Sequence, residues 1–331
     1  MLTNITVAVP QDPGILAFDA IGIGTYTFTR LLWAGLFRIR ANTRSLSEVD
    51  PDAAMSWTIS PDASVYTFHL RPGIKFSDGS PLTSVDVKAS IEIEQKPQYG
   101  DSVFISEIKE VDTPDPQTVV IRLSHGDSTF WPLMSEIIDI VPAAAVQRVG
   151  EASFQQDPTV TSGPYELVKY TKNQEVTLKR NPNYWGKKPP FDTITLKIVP
   201  DASSRMEQLL SHAIDAAPID VAQISQLSST LHLVIGAPAT AEYIGLRFDQ
   251  APTNNVLVRQ AMNYAIDREA LVHTFEQGHA ALDNSALAPS MVGATTMAPY
   301  TYDPAKARQL LAQYGKPVSF KFDVASSQVN N

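Results

Sequence analysis

The amino-acid sequence predicts an α/β protein of about two domains with mixed sheets. Three observations carry this. The chain has 331 residues, and domains of roughly 150 residues make that about two. Hairpin patterns are interspersed with helical ones, whereas one doubly wound sheet would need strand and helix in steady alternation. Finally, the 24 prolines and 16 glycines are spread along the chain, with no repeat, low-complexity tract or flexible linker.

The elements follow in order. Ile5 to Val9 reads as a short strand, ended by Pro10 and Pro13. Thr25 to Arg38 reads as a helix, because Phe28, Leu31, Leu32 and Gly35 fall on one face. Ser64 to Arg71 alternates, with Tyr66, Phe68 and Leu70 on one side and Thr67 and His69 on the other. Asp78-Gly79 marks a turn, and Thr83 with Asp86 resembles a capping box opening a helix to about Gln95. Phe104 to Val111 and Thr118 to Leu123 read as strands around Pro114-Asp115-Pro116, followed by a short helix from Thr129 to Glu136. Tyr165 to Tyr170 and Glu175 to Arg180 form a hairpin about Lys172-Asn173, and Thr193 to Val199 is a further strand. Ala202 to Ala213 is helical and Ala241 to Phe248 is a strand. Val256 to Ile266 is an amphipathic helix, with Leu257, Ala261, Tyr264 and Ala265 on one face. Asp303 caps a helix to Tyr314 with Pro304 at its first position, and Val318 to Val324 begins a strand.

Composition excludes several classes. Hydrophobic residues at 44% and charged residues at 18% describe neither a disordered nor a fibrous chain. The net charge, 26 − 35 = −9, argues against nucleic acid, whose phosphates need a basic face. There is no cysteine, which removes disulfides, thiolate nucleophiles, cysteine-bound zinc and iron–sulfur clusters. No segment approaches the roughly 18 apolar residues of a membrane span. The opening MLTNITVAVPQDPG lacks the basic start of a signal peptide, and Pro10, Asp12 and Pro13 break its apolar stretch. Either a leader has been removed, or Met1 is an inserted start, or the protein stays inside the cell.

The sequence carries no catalytic pattern. There is no phosphate-binding loop, and Gly22-Ile23-Gly24 lacks the third glycine of a dinucleotide fingerprint. No nucleophile elbow occurs. His69, His125, His212, His232, His273 and His279 make no metal-binding spacing. Carboxylate pairs such as Glu107/Glu110 and Asp215/Asp220 read as solvated faces. The expectation is a protein that is no enzyme and needs neither metal nor cofactor.

One stretch is specific. Ala53 to Ser90 contains Trp57, Ser60-Pro61-Asp62, Tyr66-Thr67-Phe68, Leu70-Arg71, Gly73, Lys75-Phe76-Ser77-Asp78-Gly79, Pro81-Leu82-Thr83 and Asp86-Val87. Further blocks follow: Thr161-Ser162-Gly163-Pro164-Tyr165, Arg180-Asn181-Pro182-Asn183-Tyr184-Trp185, Val258-Arg259-Gln260-Ala261 with Tyr264-Ala265-Ile266-Asp267-Arg268, and Tyr302-Asp303-Pro304-Ala305-Lys306-Ala307. In this order they resemble the extracellular solute-binding proteins of family 5, the peptide, nickel and opine receptors of ABC importers. Physically these blocks are mostly structural: a turn at Asp78-Gly79, a cap at Thr83, and a buried sheet face of Tyr66, Phe68, Leu70 and Phe76.

The resemblance implies a two-lobed periplasmic-binding-protein-like fold, type II and cluster C-like, that closes on a solute. Lobe I would span 1–240, with an extra subdomain at about 45–160. A hinge strand and linker would span 241–254, and a partial lobe II would span 255–331. The second lobe is expected to be incomplete, because members of the family usually continue further. The implied role is to present a peptide or opine-like solute to the ABC permease subunits from the periplasm, as a monomer. Tyr26, Trp131, Ser162, Gly163, Glu242 and Tyr243 are the candidate ligand contacts, and a carboxylate at Glu242 could meet a peptide ammonium. Gln98–Phe104 and Leu133–Val141, where nickel-importing members place arginines and a tryptophan, contain neither, which lowers the metal-chelate reading. Three other readings compete: a truncated, inactive paralogue, a solute-sensing module of an intracellular regulator, and an enzyme on a borrowed binding-protein fold.

Overall fold

The computed structural model describes residues 3–18, 23–40, 48–128, 130, 134, 137–227, 229, 231–235, 243–285 and 297–321. Of these, the side chains of 23–27, 39 and 101 lie outside the description. The chain divides into two compact units, residues 1–220 and 221–331.

Unit 1 holds a four-stranded mixed sheet and a four-stranded antiparallel sheet. In the mixed sheet, β1 (Asn4–Val9) pairs in parallel with β10 (Thr193–Ile198). β10 pairs antiparallel with β9 (Glu175–Arg180), and β9 with β8 (Tyr165–Thr171), giving the order β1-β10-β9-β8. Alternation explains the burial: Val176, Leu178, Ile194 and Leu196 are buried, with Thr177 and Thr195 between them. The β8–β9 hairpin turns at Asn173, whose φ of 57° suits the left-handed tolerance of asparagine. The antiparallel sheet has the order β4 (Ala54–Ile59), β5 (Val65–Leu70), β7 (Thr118–Leu123), β6 (Ile108–Asp115). Tyr66, Phe68, Val119 and Ile121 form its fully buried face.

The first helix corrects the sequence expectation. α1 spans Ile23–Leu32 and stops well before Arg38. The apolar spacing runs on through Gly35, but the backbone there bonds elsewhere. The Gly35 amide donates to Asp52 Oδ2 (3.0 Å), and the Leu36 carbonyl accepts from the amides of Asp52 and Ala54. The chain turns into β2 (Phe37–Ile39), which pairs with β3 (Val49–Pro51). Tertiary hydrogen bonds override local periodicity here.

α2 (Ser84–Glu94) begins with the expected capping box: the Thr83 amide donates to Asp86 Oδ2 at 2.9 Å. The strand expected from Phe104 starts only at Ile108, after a 3₁₀ turn at Gly100–Val103. Phe130, Met134 and Ile137 are helical. Two further helices that the sequence pattern does not mark are α3 (Ala143–Val149) and α4 (Glu151–Gln156), separated by Gly150 at φ 83°. α5 (Ala202–Leu210) follows β10 and is capped by Asp201. One continuous core joins both sheets to α2 and α4, with Trp33, Phe37, Phe68, Phe130 and Phe154 among its largest members.

Unit 2 is helical. α6 (Val256–Ala265), α7 (Arg268–Thr274) and α8 (Pro304–Tyr314) are capped by Asn255, Asp267 and Asp303. Ala261, Ala307 and Leu310 form a small core with Leu257, Tyr264 and Leu311 packed against it. The strands expected at 241–248 and 318–324 are not formed among their described residues, 243–248 and 318–321, which carry no ladder pairing.

Candidate functional site

Open α/β sheets bind ligands outside the carboxyl ends of their parallel strands. In unit 1 that end is defined by β1 and β10, which run in register from Asn4↔Thr193 to Val9↔Ile198. A third segment joins them: Ala216 forms a parallel bridge with Val7, so residues 217–220 leave toward the same end. Three stretches therefore converge there: the loop 10–14, the junction 199–201, and the exit 217–220.

Hydrogen bonds hold this end in shape. Asp12 accepts from the Tyr170 hydroxyl (2.5 Å), from the Gly14 amide (2.7 Å) and from the Asn173 amide. That ties the loop after β1 to the β8–β9 turn. Burial works to raise the Asp12 pKa, and these three donors together with the Lys172 charge more than offset it, leaving the carboxyl below its usual value. Tyr170 is pushed up, by burial first and by the Asp12 carboxylate second. The Val199 amide donates to the Val9 carbonyl (2.8 Å), closing the junction. Asp201 accepts from the Ser204 amide (2.7 Å) and opens α5. Past the loop, Phe18 adopts φ 28° and is buried between Tyr99 and Phe154, with ring centroids 5.4 and 6.4 Å away.

Ser162 and Gly163 lie elsewhere. They precede β8, which runs in the same direction as β10 and β1 because two antiparallel pairings intervene. Seven residues of strand, about 20 Å, therefore separate them from the carboxyl ends. The Ser162 hydroxyl donates to the Ile140 carbonyl (2.6 Å) and accepts from the Ala34 amide (2.9 Å). The Gly163 amide donates to the Leu32 carbonyl (2.7 Å), and its carbonyl accepts from Asn181 Nδ2 (2.8 Å). A Cβ at Gly163 would sit 2.5 Å from the Leu32 carbonyl carbon. Both residues are buried and hold the C-terminal end of α1, the helix that carries Tyr26. The Tyr26 side chain, Trp131 and Glu242 lie outside the described residues. Tyr243 is exposed and belongs to unit 2. The structure thus brings together Ser162, Gly163 and the end of the Tyr26 helix.

Asp12 was missed in the sequence. Its signal was legible, because an aspartate two residues before a glycine amide forms an Asx turn. Among the described residues no group of three or more histidines and carboxylates could hold a metal ion. No described helix is long and apolar enough to cross a membrane.

The blocks that resembled a family also meet in space. The Ser77 amide donates to the Thr161 carbonyl (2.8 Å), and the Thr161 amide donates to Ser77 Oγ (2.9 Å). Asn183 Nδ2 donates to the Ser77 carbonyl (2.9 Å), and the Asn181 amide to the Pro164 carbonyl (3.0 Å). Three stretches far apart in sequence thus form one hydrogen-bonded junction. In unit 2 the Asp303 amide donates to the Tyr264 carbonyl (2.8 Å), joining the other two blocks. The profile of the bacterial extracellular solute-binding proteins, family 5 Middle, matches residues 48–330.

The chain belongs to family 5.

Known members agree with this placement. The chain is 30% identical over 304 residues to the heme-binding protein A of Haemophilus influenzae, covering 84% of this chain and 56% of that one. It is 32% identical over 336 residues to the glutathione-binding protein GsiB of Shigella flexneri, covering 98% and 64%. The chain thus spans less than two thirds of either relative. Among solved structures, NikZ from Campylobacter jejuni in complex with Ni(L-His) superposes with a TM-score of 0.82 at 28% identity, over 95% of this chain and 63% of that one. DppA from Helicobacter pylori, in complex with the peptide STSA, reaches 0.81 at 24% identity, over 94% and 66%, a likeness of fold. The α/β architecture with mixed sheets is that of the two-lobed periplasmic binding proteins.

Proposed function

We propose that this family 5 protein is the solute-binding component of an ABC importer, working in the periplasm and taking a peptide or opine-like solute. The observation that carries the reading is the family match over residues 48–330, on a chain whose signature blocks interlock by hydrogen bonds. The likeness to glutathione-binding relatives and to a nickel–histidine receptor favours a ligand built from amino acids. Such a ligand offers carboxylate and ammonium groups, which suit charge-assisted hydrogen bonds. Under this reading Tyr26, Glu242 and Tyr243 are solute contacts, as are groups at the carboxyl ends of β1 and β10 in unit 1. Ser162 and Gly163 support α1 from below. The solute passes to the permease unaltered, since the role is binding and release.

Thermal unfolding tests this against glutathione, di- and tripeptides, opines, and nickel–histidine. A ligand at about 100 times its dissociation constant adds about 2.7 kcal/mol. A transition raised by a peptide or opine, with the solute recovered unchanged, is the expected result. A transition raised only by nickel–histidine, or by no solute, overturns it.

A further inference from the structure

Arg205 is a charged residue in an unusual place. It lies on α5 with its side chain 5% exposed. Its Nη1 donates to the carbonyls of Val199 (3.0 Å) and Pro200 (2.7 Å), and its Nε donates to the carbonyl of Pro218 (3.0 Å). Its Nη2 stands 3.7 Å from the Asp220 carboxylate. One guanidinium thus ties the carboxyl end of β10 to the last residues of unit 1. Immediately upstream, the same segment is held against β1. The Asp215 amide donates to the Thr6 carbonyl (2.8 Å), the Thr6 amide to Asp215 Oδ2 (2.7 Å), and the Ala8 amide to the Ala216 carbonyl (3.0 Å).

We propose that Arg205 is a positioning residue, the anchor of the chain crossing from unit 1 into unit 2. A buried charge adds little stability compared with a well-packed apolar side chain. What it adds here is geometry. The planar guanidinium offers donors in a fixed fork, and it sets the relative direction of residues 199–200 and 218–220 at the ligand-binding end of the sheet. Any turning of the chain then begins beyond Asp220, and the 214–220 segment does not peel from β1. Lysine, with a single ammonium on a flexible stem, cannot reproduce the fork. The anchor itself stands on unit 1 alone. Only its effect on affinity rests on the solute-receptor reading, in which closing the units about the crossing contributes to binding.

Amide hydrogen exchange of the 331-residue chain carries the test, with Arg205→Met and Arg205→Lys as variants. Arg205→Met keeps an apolar stem and removes every donor. Exchange at Thr6, Ala8 and Asp215 is expected to rise about tenfold or more in Arg205→Met, and to a smaller degree in Arg205→Lys, with Thr177 and Leu178 in β9 unchanged. Unchanged exchange at the three reporters overturns the proposal. So does an equal rise at the β9 amides, which is the mark of a merely structural residue. If Arg205→Met does not fold, Arg205→Lys is read at the same amides by the same criteria. A solute that binds the wild type is then expected to bind the variants about fivefold or more weakly. If no solute binds the wild type, the receptor reading fails while the exchange result still decides the anchor.

Discussion

The two units of this chain bury their apolar residues in different ways. In unit 1 two sheets share one core, and Trp33, Phe37, Phe68, Phe130 and Phe154 are almost fully enclosed. In unit 2 the core is a helix pair meeting at Ala261, Ala307 and Leu310, while Val234, Ile235, Tyr243, Phe248 and Phe275 stand exposed. Hydrophobic stabilisation scales with apolar area removed from water. Unit 2 should therefore open at lower free energy than unit 1, as a separate cooperative block. The lesson is that equal legibility in sequence does not mean equal stability in the fold. The amphipathic pattern of α6 is as clear as any in unit 1, yet it has fewer partners to bury.

Five measurements would sharpen or break that contrast. Trp33 is fully buried and its Nε1 donates to the Leu16 carbonyl (2.7 Å). Trp33→Ala is expected to remove about 3–5 kcal/mol from the main denaturant transition. Leu310→Ala should cost about 2–3 kcal/mol, but only in the hydrogen exchange of α6 and α8. Loss of protection across unit 1 as well would mean that the two units unfold together, and the contrast would fall. Gly163→Ala drives a methyl group into the backbone at Leu32 and should lower unit 1 stability by about 1–3 kcal/mol. A neutral result in calorimetry would show that the α1 end can shift. Asp303→Ala removes the acceptor of the Lys306 amide and should cost about 1 kcal/mol, read as fraying of α8 by exchange.

The smallest effect concerns pH. Asp12 has a folded pKa below its usual value, despite burial, because Tyr170, Asn173 and Gly14 donate to the carboxylate and Lys172 stands nearby. The sign follows: its contribution is present above the unfolded pKa and is lost as pH falls through the folded one. Unit 1 should therefore lose stability below about pH 4 in part through this residue. Asp12→Asn should flatten that limb of the pH–stability curve. An unchanged limb would mean that other carboxylates dominate it.

Much of the fold was legible in the sequence because its signals are local. The β8–β9 hairpin, the Thr83–Asp86 capping box, the Asp78-Gly79 turn and the Asp303-Pro304 helix start each depend on residues within a few positions of one another. The candidate site was less legible. Ser162 and Gly163 read in the sequence as ligand contacts, whereas the structure shows them bonded to the end of α1, a close approach that only packing reveals. Asp12 has a local Asx-turn signal toward Gly14, but its partner Tyr170, 158 residues away, is not legible, and Arg205 carries no block signature for its bond to Pro218, 13 residues away.

Local chemistry was therefore enough for the α/β class and for the caps and turns that start and stop most elements, and the resemblance of the ordered blocks pointed to the family. Where α1 ends and which strands lie parallel belong to tertiary structure. Those outcomes turn on backbone hydrogen bonds between distant segments, such as Gly35 to Asp52 and Ala8 to Ala216. A buried amide or carbonyl must find a partner wherever the fold provides one, and no period in the sequence records which segment that is.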